Sequence, residues 1–104
     1  MRSRAVTLGK IADVISARGE LDEALRIRRE EQLPVYEKLG DVRSLLAGRA
    51  NLVVMLMKRQ AAEDLAEAKG LLDQALIDAD RLRIPEAEQI RELLARLAKL
   101  QAKQ

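Results

Sequence analysis

Residues 17–25 read Ala17-Arg18-Gly19-Glu20-Leu21-Asp22-Glu23-Ala24-Leu25. Gly19 accepts the left-handed conformation that ends a helix. Leu21, Ala24 and Leu25 begin a new apolar stripe. The stretch therefore reads as the end of one helix and the start of the next.

Working outward, Leu8, Ile11, Ala12 and Ile15 carry the stripe of the helix before the turn. The helix after it runs from Leu21 to Tyr36 and Leu39, with Gly40 as its stop. Pro34 lies inside that second helix. It deletes a backbone hydrogen bond and crowds the Glu30 carbonyl, so a kink near Glu30 to Leu33 is expected rather than a break. Asp41 is placed to N-cap a third helix reaching about Lys58. Leu65, Ala68, Leu72, Ala75, Leu76 and Ala79 mark a fourth helix, ending near Leu82. Pro85 opens a fifth, with Ile90, Leu93, Leu94, Leu97 and Leu100 as its stripe.

Composition agrees with an all-α fold. The chain of 104 residues suits one domain. Ala, Leu, Glu, Arg and Lys are frequent, and all are strong helix formers. Tyr36 is the only aromatic residue, so the core must be aliphatic. With 19 basic and 17 acidic residues, the net charge of +2 argues against nucleic acid as the partner. The lack of aromatic stacking platforms argues the same way. There is no cysteine and no histidine. Disulfides and thiolate zinc sites are thereby excluded, and no general base near neutrality or thiol nucleophile is available. No phosphate-cradling glycine loop is present. The sequence nominates no catalytic residue, no metal ligand and no cofactor. The longest apolar run, Leu52 to Met57, is far shorter than the ~20 residues of a membrane span. A soluble, cytoplasmic protein is expected.

The helices repeat. Arg2-Ser3 recurs as Arg43-Ser44, and at the same offset Ile11 falls on Leu52, Ala12 on Val53, Ile15 on Leu56 and Arg18 on Arg59. After a short insertion, Leu21-Asp22-Glu23-Ala24 falls on Leu65-Ala66-Glu67-Ala68. On these residues the chain resembles the tetratricopeptide repeat (TPR) family, in a longer variant of roughly 40 residues like that of kinesin light chains and many bacterial arrays. It departs from the family pattern at Arg28, Glu31, Val53 and Gln60. The resemblance implies antiparallel helix pairs stacked as a short right-handed superhelix with a C-terminal capping helix. Residues 1–104 then form one helical-repeat domain: 1–40 are repeat one, 41–84 repeat two and 85–104 the cap.

The family also implies a function: a scaffold that binds a partner protein or peptide on its concave face. Here that face would carry Lys10, Asp13, Ala17, Asn51, Val54, Met57 and Lys58. Some relatives clamp a terminal carboxylate, but Asp13 and Gly9 stand where that clamp needs Asn and Lys, so no clamp is expected. Two repeats fall below the usual minimum of about three. The alternative function is therefore structural: the C-terminal end of a longer array, or a homo-oligomer whose Val54 and Met57 meet a second copy. An RNA-binding helical repeat is a weaker alternative. The stripe of the last helix keeps coiled-coil spacing, but a cap is favoured because the helix is short for a coiled coil. Arg26, Arg28 and Arg29, answered by Glu23, Glu30 and Glu31, read as a solvated face.

Overall fold

A computed structural model describes residues 2–103. They form helices and turns, with no strand among the described residues. The elements are α1 (Arg2–Ala17), α2 (Leu21–Arg26), a π-helical segment (Ile27–Gln32), α3 (Leu33–Leu39), α4 (Val42–Arg59), α5 (Ala62–Leu82) and α6 (Glu86–Ala102). The chain forms two compact units, 1–55 and 56–104.

In the first unit α1 packs along α2, the π segment and α3. The pair is antiparallel, since Asp13 meets Arg28 while Ala5, earlier on α1, meets Gln32, later on its partner. The α1 side of this contact is built from small residues: Ala5, Gly9 and Ala12 are buried. Their spacing puts them on one face, and their size brings the backbones close. On the partner helix Ala24, Leu25, Ile27, Leu33 and Tyr36 are buried, with Leu33 and Tyr36 next to Gly48 of α4. Ile11, expected in the core, is 44% exposed instead. The core takes its neighbour Ala12, because the close approach leaves room only for small side chains at the contact.

Pro34 neither breaks the helix nor ends it. Helical geometry continues from Leu21 to Leu39, and the turn before the proline widens into the π segment. There the Leu33 N–H donates to the Arg28 carbonyl, five residues back instead of four. An α turn would press the pyrrolidine ring onto the Glu30 carbonyl, and widening that turn relieves the crowding.

The helix ends follow local chemistry. Gly19 (φ 85°) and Gly40 (φ 65°) adopt the left-handed conformation after α1 and α3. Asp41 caps α4, accepting the Ser44 N–H at 3.1 Å and the Ser44 hydroxyl at 2.7 Å. Gly48 lets α4 approach α3: a Cβ there would lie 2.7 Å from Leu33 Cδ2.

In the second unit α5 and α6 pack together. Leu65, Ala68, Leu72, Ala75 and Ala79 are buried on α5, and Ala87, Ile90 and Leu97 on α6. Leu93, Leu94 and Leu100 are half-buried. Arg91 ties the helices, donating to Asp80 at 2.8 Å. Asp64, in the first turn of α5, is buried and accepts twice from Arg59, at 2.6 and 2.7 Å. The short turn between α4 and α5 folds the arginine back over it.

Candidate interaction face on the first helix

Arg28 is the structural centre of the first unit, and it is buried at 2% exposure. This corrects its reading as part of a solvated face. A lone buried guanidinium would be costly. Here it is matched on several sides. Its terminal nitrogens donate to Gln32 Oε1 at 3.1 Å, to the Gly9 carbonyl at 3.4 Å and to the Asp13 carboxylate in a short ion pair. Gln32 in turn donates to the Ala5 carbonyl at 2.9 Å. Arg28 Nε alone has no partner among the described residues. Gly9 makes the arrangement possible, because any side chain there would occupy the space of the Gln32 amide. At helical spacing Arg28 continues the stripe of Leu21, Ala24 and Leu25, but its charge was read as solvated. A second signal was the glycine in mid-helix on the partner.

The opposite side of α1 faces away from this network. Val6, Lys10, Ile11 and Val14 are exposed, as are Thr7 and Ala17. At helical spacing Val6, Lys10, Val14 and Ile11 span about 140° of the surface. Val14 reaches 56% exposure. Isolated surface aliphatics are ordinary, but three along one helix face make a patch.

The charge of this face is set from inside. Asp13 is the only acidic residue of α1, and Arg28 neutralises it. Arg4, Lys10 and Arg18 are exposed and have no ion-pair partner among the described residues. What remains on the face is aliphatic and positive.

Of the residues expected to line a groove, Lys10, Asp13 and Ala17 are exposed along α1. On α4, Asn51, Val54 and Lys58 are exposed, while Met57 is buried. Val6 and Val14 were missed by the sequence reading, although they flank Lys10 at four-residue spacing.

Beside α3 lies a cleft of about 400 Å³ lined by Arg4, Glu30, Glu31, Pro34, Val35, Glu37 and Lys38. Glu30 and Glu31 both pair with Arg26 at its edge. Arg26 also binds Glu23, and these hydrogen bonds hold the Glu23 carboxyl below its ordinary range. The pair is fully exposed, so it contributes little to the fold. No cluster of three or more potential metal ligands occurs among the described residues. Among those residues, no helix is long and apolar enough to cross a membrane. No family model, curated protein or solved structure matches the chain.

Proposed function

We propose that this chain is a protein–protein interaction module, and that the outward face of α1 receives the partner. One observation carries the reading: Val6, Ile11 and Val14 stand exposed on the side of α1 that its own helix pair does not cover. Burying such aliphatic surface against a partner is favourable at roughly 25 cal/mol per Å².

We read the fold as a tetratricopeptide-like stack, two helix pairs in a right-handed superhelix closed by α6. The backbone supports this. Gly19 and Gln60 both take positive φ, as do Gly40 and Arg83, each pair separated by roughly 40 residues, within the range of helical-repeat periods. The turns of the first helix pair are thus repeated in the second, even where glycine is absent.

Selection from a displayed random-peptide library, about 16 residues long so as to span about four helical turns, tests the function. Enrichment of a family of peptides that bind the whole chain, and lose binding to Val14→Glu but keep it to Ile77→Glu on α5, supports the proposal. Failure to enrich any sequence, or equal sensitivity to both variants, contradicts it. Sedimentation separates the rival role in self-assembly. A partner-binding face predicts a monomer at micromolar concentration, and an obligate dimer disrupted by Val14→Glu favours assembly.

A further inference from the structure

We infer that the partner of the α1 face is an acidic, aliphatic protein segment. The inference rests on the interaction reading above and deepens it by naming the chemistry of the partner.

The first observation is the apolar content. Val6, Ile11 and Val14 are exposed, and all three are β-branched aliphatics with few rotamers to lose on binding. They suit aliphatic side chains placed at helical spacing on the partner. The second observation is the charge. Lys10 and Arg18 border these aliphatics and have no ion-pair partner among the described residues, whereas Arg4 lines the cleft that also holds Glu30, Glu31 and Glu37. Lys10 lies between Val6 and Val14 on the helix surface. The third observation explains why the charge is uncompensated. Asp13, the one carboxylate of α1, is committed to the buried Arg28. A basic partner would meet two cations across a partly desolvated face, which is unfavourable. An acidic partner would replace the missing counter-charges.

An anionic membrane surface shares part of this chemistry. The face fits it less well, because α1 carries no aromatic residue and no leucine among its exposed aliphatics.

The test uses the same displayed-peptide selection and reads the composition of the enriched pool. The expected pool is net negative, with Leu, Ile or Val three and four residues apart. Binding of a synthetic member to the intact chain should weaken about tenfold when salt rises from about 0.05 M to 0.5 M. Lys10→Glu combined with Arg18→Glu should weaken it by about tenfold or more, while Lys99→Glu on α6 leaves it unchanged. A neutral or basic pool, or a salt-insensitive complex, overturns the inference and leaves the interaction function standing. A library that yields nothing overturns both. Preferential retention on anionic phosphatidylserine vesicles, lost in the same double variant, also overturns the inference, in favour of a lipid surface.

Discussion

Gly9 and Gln32 occupy one another's space: a Cβ on Gly9 would lie 2.5 Å from the Gln32 side-chain nitrogen. The glycine is there because a buried amide needs the room. Through that gap Gln32 reaches the Ala5 carbonyl and Arg28 reaches the Gly9 carbonyl. The register of α1 on the π segment is fixed by these hydrogen bonds more than by apolar packing, which is non-directional.

Gly9→Ala should therefore destabilise the protein, although alanine is the better helix former. The propensity gain is about 1 kcal/mol. Against it stand a displaced Gln32 and its lost buried hydrogen bonds, each costing about 1–3 kcal/mol. The expected net loss is ~1–2 kcal/mol by urea unfolding. Gly70→Ala, in the middle of α5 with nothing near the new methyl, should instead gain ~0.5–1 kcal/mol. Equal shifts in the two variants would show that Gln32 is not held at Gly9.

The ion pair of Asp13 and Arg28 is asymmetric, with the carboxylate 70% exposed and the guanidinium buried. Removing the acid strands a buried cation, while removing the cation returns a carboxylate to water and leaves the buried Gln32 Oε1 without its donor. Asp13→Ala should cost ~1–3 kcal/mol, below the figure for a fully buried pair because the acid is solvated. Arg28→Met should cost about 1–3 kcal/mol, since the methionine fills much of the same volume but leaves the buried Gln32 Oε1 unpaired. In a double-mutant cycle, Asp13→Ala should be nearly silent in the Arg28→Met background. Additive costs would show that the two residues do not interact.

Much of this fold was legible in the sequence because it depends on local chemistry. Gly19 and Gly40 end their helices as left-handed residues, Asp41 caps α4, and Pro85 directly precedes α6. The alternation of stripe and stop located every helix. Arg28 lay on the apolar stripe but was read by its charge, and Asp64 was not legible. Whether a charged side chain on a helix turns inward depends on the residue facing it, and those partners lie on another element. The π segment was half legible. Pro34 announced a disturbance, but its form follows from keeping both Leu25 and Tyr36 buried on either side of the widened turn. Ile11 was misplaced for the complementary reason. Its periodicity is that of a core residue, yet the close approach at Gly9 favours Ala5 and Ala12. On the candidate face, Lys10, Asp13 and Ala17 came from repeat alignment. Val6 and Val14 became visible only once the buried side of α1 was known.

The C-terminal stop of α5 makes a separate prediction. Arg83 holds φ at 55°, where a β-carbon is strained. Arg83→Gly should raise stability by ~0.5–1 kcal/mol despite the flexibility it adds to the unfolded chain. Gly40→Ala, at φ 65° after α3, should lower stability by about 1 kcal/mol. Thermal unfolding of both variants checks the pair, and a destabilised Arg83→Gly would mean that the arginine side chain offsets the strain.

The cap on α4 is testable in isolation. Asp41 accepts both the backbone N–H and the hydroxyl of Ser44. Asp41→Ala should cost ~1 kcal/mol, and Asp41→Asn should recover most of it. An asparagine variant as unstable as the alanine one would assign the effect to charge near the helix dipole instead of to the hydrogen bond.

Amide chemical-shift mapping of the ¹⁵N-labelled chain, titrated with a library-selected acidic peptide, measures most directly where a partner sits. The largest shifts should fall along α1 at Val6, Lys10, Ile11 and Val14, with the amides of α5 and α6 unmoved. Shifts centred on α5 and α6, or an α1 that stays silent while the peptide binds, would contradict the account.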